Sequence, residues 1–437
     1  MLIRFTVANF MSFKEKTEFN FLTAEEVTAH PNHVFKAENG LELTRFAALY
    51  GANGSGKSNL VKAMQVFQTY ITTLNGRDNR TYYRFAEGYD RRFTNFEIEC
   101  FLDNRFWIYG INTIYGAIAE EWLLETFPFE EKVDSVIFRR YGVAHAEWGN
   151  DYQEIAEKYE SMVFIESRPT LLEHLSKGRI DMGLKNSIFQ FISNWVFIFP
   201  NIHPLLRIPD LQHSFNLKVW IENLLSLASI KRLAVVETYP LAVFRLEAEY
   251  EINKLKSTLT EGEGRFLDEL PYPTAIYAQK VNGEILLKRL VTVHQPEGQD
   301  QEFEFELYQE SDGTRRILEL AMETYGLVDA EANNPVPRLL IIDEIENSLH
   351  VHLIRHMLYA LSRSTELKGQ LLFTTHDTHL LDPRLFRPDE IWFAKKNGAE
   401  ATELYPMSDI KLYEGEDWEI SYLAGRFGGI PNPIAFI

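Results

Sequence analysis

The sequence predicts an α/β fold built on a buried, largely parallel sheet. Three short apolar runs carry that expectation. Phe46–Tyr50 ends at Gly51, and a helical pattern begins by Asn59. Leu339–Ile342 is a run of large apolar residues, as expected of a strand buried on both faces, and "HVHLIRHMLYAL" soon after it is helical and amphipathic. Leu371–Phe373 then supplies a further apolar run. Strands alternating with helices are how parallel strands are connected.

The composition permits such a core. The chain has 437 residues, 45% of them apolar and 24% charged, enough for one large or two modest domains and too apolar for default disorder. The formal net charge is −19, which argues against a dedicated DNA wrapper without excluding a local basic groove. The single cysteine, Cys100, rules out an intrachain disulfide framework or a cysteine zinc site. The N-terminus, "MLIRFTVANF", alternates like a strand and does not resemble a secretory leader. No long apolar window suggests a membrane span, so a cytoplasmic protein is expected.

The first apolar run opens the most specific motif. Gly51, Ala52, Asn53, Gly54, Ser55, Gly56, Lys57 and Ser58 match G-x-x-x-x-G-K-[ST] in full, between a strand and a helix that Asn59 helps to open. Glycines let the backbone wrap a polyphosphate, and the helix start offers free N–H donors to it. Lys57 is expected to reach the β- and γ-phosphates, and Ser58 to ligate Mg²⁺.

The second run ends in Asp343 and Glu344. Adjacent acids at a buried strand end are costly unless a cation waits there. Asp343 is assigned to the Mg²⁺ shell, and Glu344 to orienting or deprotonating the attacking water. The third run ends in "TTHD", placing His376 where a γ-phosphate sensor would sit, since ligands gather at the carboxyl edge of open α/β sheets. His350, His352 and His356 read as helix-surface residues rather than a metal cluster.

Between these motifs the chain is more varied. "FTNFEIECFLDNRFWIYG" reads as a hairpin turning near Asp103-Asn104, with further strands through "SVIFRRYG". Residues 151–250 read as mostly helical, and strands return in "AIYAQKVNGEILLKRLVTVHQ". The turn "ESDGTRRILEL" runs into a helix that Ser311 is placed to cap. Tyr82, Tyr83 and Arg84 are either base-stacking residues or part of the early sheet. The basic pairs are scattered, so duplex binding is possible but not favoured.

Together, "IRFTVANFMSFKE", "YGANGSGKSNL", "FEIEC", "SDGTRR", "LLIIDEIENSLH", "TTHDTHLLD" and "YLAGRFGGIP" make the chain resemble ABC-type ATPase heads, the group that includes the SMC-like and DNA-break-repair ATPases. More narrowly it is similar to the AAA-like, ABC-fold ATPases of bacterial restriction and phage-defence operons. These are the Rlo and abortive-infection ATPases, with the ATPase subunit of the PARIS system a candidate relative. The resemblance implies an ABC-type head with an antiparallel β lobe and a compact, mainly helical insertion. It divides the chain into an N-terminal lobe with the phosphate loop (1–150), the insertion (151–265), and a C-terminal lobe (266–437) with signature, acidic strand and switch histidine.

The same resemblance implies ATP and Mg²⁺ as cofactors. It gives the catalytic roles to Glu344, His376 and Lys57, and the signature position, which reaches a partner's ATP, to Ser311, Gly313 and Thr314. No glutamine is placed in a Q-loop. Arg315 and Arg316 either neutralise transition-state charge across that junction or pair with acids such as Glu319. The implied protein is an ATPase that forms a homodimer or higher homo-oligomer through composite ATP sites. It would control a separate nuclease or toxin effector in antiphage defence, with no membrane partner. A DNA-binding repair ATPase and a nucleotide-gated scaffold with little turnover are the alternatives.

Overall fold

A computed structural model describes residues 1–73, 81–142, 145–154, 157, 170–177, 184–200, 215–238, 248–266, 276–328 and 336–430. The chain divides into two compact units. The first comprises Met1–Pro200, Leu327–Glu346 and Leu358–Ile437; the second comprises Asn201–Gly326 and Asn347–Met357.

The first unit holds two large sheets. Its core sheet runs in the order Trp195–Ile198, Leu339–Ile342, Gln370–Thr374, Phe46–Tyr50, Ile391–Lys396, Thr402–Pro406. The first five are parallel and the last is antiparallel, joined to its neighbour through a turn at Asn397-Gly398. Every residue of Phe46–Tyr50, Leu339–Ile342 and Gln370–Thr374 is buried, which explains their unbroken apolar character. This order sets the Gln370–Thr374 strand between the glycine-loop strand and the acidic strand, so three sequence-distant motifs end at one edge.

Trp195–Ile198 was not anticipated within a stretch that read as helical. It is a short aromatic and β-branched run that pairs in parallel with Leu339–Ile342 and extends the sheet beyond the acidic strand. The helices Leu171–Lys177 and Leu184–Ser193 precede it.

The other large sheet is antiparallel, in the order His145–Trp148, Ser135–Tyr141, Ala117–Thr126, Arg105–Ile114, Thr94–Leu102, Leu2–Ala8, Thr17–Asn20. Asp103 and Asn104 form the tight hairpin turn, both with positive φ as type I′ geometry requires. Phe67 on the Lys57–Thr72 helix packs edge-on against Phe5 and meets Phe96, Tyr109 and Trp195. The helix after the glycine loop is thereby clamped between both sheets.

The second unit carries Arg232–Thr238, Glu284–His294, Ile276–Val281 and Gly264–Phe266 in one antiparallel sheet, with Phe303–Glu306 paired to Glu284–His294. It also holds the Phe215–Ser226 and Ala248–Thr258 helices. Among the described residues, no helix is long and apolar enough to cross a membrane.

Candidate functional site

The glycine loop adopts the conformation its composition demands. Gly56 has φ +109°, and a Cβ there would collide with Thr402 Oγ1 and Ser12 Oγ. Beneath the loop lies a polar brace that local sequence did not reveal. Asn59 Nδ2 donates to Ser12 Oγ at 2.7 Å. Thr402 Oγ1 donates to Ser55 O at 2.7 Å and lies 2.8 Å from Ser12 Oγ. Ser12 and Thr402 are both buried and come from opposite ends of the chain. Ser55 Oγ is buried without a partner among the described residues, an unmet group inside a loop shaped for an anion.

Lys57 starts the helix and folds back on the loop. Its Nζ donates to Gly51 O at 2.7 Å and Ala52 O at 3.2 Å, and lies 3.4 Å from His376 Nδ1. Burial pulls its pKa down to about 8, against the opposing pull of Glu346, Asp343 and Glu344. His376 is held below its ordinary value by partial burial and then by the Lys57 ammonium. With Nδ1 accepting from Lys57, a neutral His376 carries its proton on Nε2.

On the neighbouring strand ends, Ser58 Oγ donates to Asp343 Oδ1 at 3.1 Å. Thr374 Oγ1 donates to the same oxygen at 2.7 Å and accepts from Glu344 N at 2.8 Å. Glu344 itself has φ +51°, an uncommon left-handed conformation that turns the chain sharply where the strand ends. Glu346, two residues on, accepts from His376 N at 2.5 Å. Neither Glu346 nor Thr374 stands out in the sequence. An acid two residues beyond an assigned Glu carries no periodic signal, and Thr374 reads simply as strand.

The loop and the Ser58–Asp343 pair fit a nucleotide and a hard divalent cation. Among the described residues, no cluster of three or more His, Cys, Asp or Glu could hold a metal alone. Mg²⁺ draws most of its ligands from phosphate oxygens and water, so one or two protein groups such as Ser58 and Asp343 would serve it. Bound there, the ion would neutralise phosphate charge.

Ser311, Gly313 and Thr314 belong to the second unit. Ser311 Oγ accepts from Thr314 N at 3.1 Å, capping the Asp312–Val328 helix as its sequence suggested. Gly313 packs where a Cβ would meet Ser348 O at 2.8 Å. Just before the turn, Glu310 is anchored by His294 Nε2 at 2.6 Å and by the Thr292 hydroxyl. Arg316 is buried and donates to Glu319 at 2.9 Å, the structural pairing left open as one of its two readings, and Arg315 pairs with Asp312.

Other candidates fall elsewhere. Tyr83 is fully buried, its hydroxyl donating to Ala399 O, so it is a core residue and not a base platform. His350, His352 and His356 are exposed. The C-terminal segment docks in cis as far as it is described: Tyr422 stacks on Phe393 at 5.6 Å, and Tyr405 Oη donates to Phe427 O at 2.7 Å. Its last residues, 431–437, lie outside the described residues.

The glycine loop, the paired serine and aspartate, and a histidine just past the end of the strand between them define a P-loop nucleotide-binding domain. The chain belongs to the family described as "AAA domain, putative AbiEii toxin, Type IV TA system", whose pattern matches residues 46–382. ATP binding is the shared property of that toxin- and defence-associated family.

No curated protein matches the chain. Solved structures similar to it include the SMC head domain from Thermotoga maritima, at 11% identity and TM-score 0.37, covering 94% of this chain and 99% of that one. A second is an SMC head bound to the C-terminal winged-helix domain of ScpA, at 14% identity and TM-score 0.38, covering 93% and 97%. A third is an SMC head with an extended coiled coil bound to the C-terminal domain of ScpA derived from Pyrococcus furiosus, at 12% identity and TM-score 0.36, covering 93% and 96%.

Proposed function

We propose that the protein is a cytoplasmic ATPase, converting ATP and water to ADP and phosphate, that works as a switch. ATP closes two heads around composite sites and hydrolysis reopens them. The carrying observation is the gathering of Lys57, Ser58, Asp343 and His376 at one edge of the parallel sheet. In this reading the Gly51–Asn59 segment holds the triphosphate, Ser58 and Asp343 hold Mg²⁺, Glu344 orients or deprotonates the water, and His376 reads the γ-phosphate. Ser311, Gly313 and Thr314 approach the ATP of a second copy. The lobe boundaries near residues 150 and 265 belong to this same reading.

The partner is a second copy and, through it, a separate nuclease or toxin effector of phage defence, in the manner of the Rlo, abortive-infection and PARIS ATPases. Some residues of the basic pairs already meet acids: Lys231 and Arg232 share Glu302 at 2.8 and 2.6 Å, and Arg140 meets Glu121 at 2.9 Å. They therefore offer little to a DNA backbone. The test is phosphate release from ATP with Mg²⁺, wild type against Glu344→Gln. Turnover in the wild type that is lost in the variant supports the reading; none in either contradicts it.

A further inference from the structure

We infer that Glu346 is a positioning residue for hydrolysis at this site, an assignment that rests on the ATPase reading above. Its Oε1 accepts the backbone N–H of His376 at 2.5 Å, so one carboxylate fixes the loop that carries the switch histidine. Its Oε2 is buried and has no hydrogen-bond partner among the described residues. A carboxylate oxygen in that state costs free energy unless some state of the protein satisfies it. Lys57 provides the connection: Nζ lies 3.4 Å from His376 Nδ1 while still bound to the loop carbonyls of Gly51 and Ala52. A triphosphate draws that ammonium off the carbonyls. The histidine then loses its Lys57 contact and depends on its backbone anchor to stay in place.

Glu346 thus holds His376 in the geometry that meets the γ-phosphate, and its open oxygen leaves room for a water, which can donate to a carboxylate or accept from a glutamine amide. Glu344 and Glu346 divide the work: the first acts on the attacking water, the second holds the sensor.

The experiment compares Glu346→Ala, Glu346→Asp and Glu346→Gln in the full chain by steady-state ATP hydrolysis with Mg²⁺. Affinity is measured in parallel with a non-hydrolysable fluorescent ATP analogue, and folding by thermal melting. Ala removes the acceptor and Asp withdraws it by one methylene. Both are expected to lower kcat by about tenfold or more, the worth of one transition-state hydrogen bond, with analogue affinity within about threefold of wild type. Gln still accepts the His376 amide and is expected to stay within about threefold of wild-type kcat.

Wild-type kcat in folded Ala and Asp variants overturns the assignment. So does a Gln variant as impaired as Ala, or an equal loss of affinity and kcat. If Ala does not fold, Asp against Gln decides the matter. A wild-type chain that binds the analogue but does not hydrolyse ATP overturns the ATPase reading and this assignment with it. A hydrolysing wild type with unimpaired variants overturns only the role of Glu346.

Discussion

Ser58 Oγ donates to Asp343 Oδ1 at 3.1 Å, joining the first turn of the loop helix to the end of the acidic strand. The hydroxyl and carboxylate are a pair that a magnesium ion would enter between. Asp343→Asn should weaken Mg²⁺–ATP binding by about tenfold or more, while binding of ATP in EDTA changes little. Calorimetric titrations with and without Mg²⁺ check this. An equal loss in both would remove Asp343 from the metal shell.

Lys57 gives a pH dependence whose sign can be worked out. Its pKa without nucleotide is lowered to about 8, mainly by burial. Phosphate oxygens beside it favour the ammonium and raise that pKa. Binding therefore takes up a proton above pH 8, and affinity falls as pH rises from there; below about pH 7 the lysine is already charged and contributes nothing. Calorimetry at pH 8.5 in two buffers of different ionisation enthalpy should show proton uptake, and Lys57→Gln should abolish it. Zero uptake in the wild type contradicts the account.

Gly56→Ala forces a methyl group against Thr402 and Ser12 and strains a backbone at φ +109°. The expected cost is about 1–3 kcal/mol of stability, together with lost nucleotide binding. Thermal melting with an ATP analogue measures both, and a variant that melts and binds like wild type would mean the loop relaxes at no cost.

Arg316 donates to Glu319 at 2.9 Å with both side chains buried, and Glu319 is pushed up to about 7, chiefly by desolvation. Arg316→Met should destabilise the fold by about 3–5 kcal/mol by stranding the acid, and adding Glu319→Leu should recover much of that loss. If Arg316→Met instead leaves the melting temperature intact and removes only turnover, the residue acts across the dimer junction and not in the core.

The core sheet was legible because its strands are buried on both faces and therefore leave unbroken apolar runs in the sequence. The glycine loop was legible because phosphate wrapping constrains residue type at nearly every position. Trp195–Ile198 was hidden by the helical pattern before it, since four residues give no usable period. The brace of Ser12 and Thr402 was hidden for another reason: its members are 390 residues apart and each is unremarkable where it stands. Arg316 remained two-sided in sequence because a cationic side chain at a turn suits an ion pair and a phosphate equally well; burial against Glu319 is tertiary information.

Dimerisation through composite sites is the central claim, and native mass measurement tests it most directly. With ATP and Mg²⁺, Glu344→Gln should accumulate as a dimer holding two nucleotides. Adding Ser311→Arg should return it to monomers that still bind ATP. A Glu344→Gln chain that stays monomeric with ATP bound, or a Ser311→Arg variant that dimerises unchanged, would contradict the account.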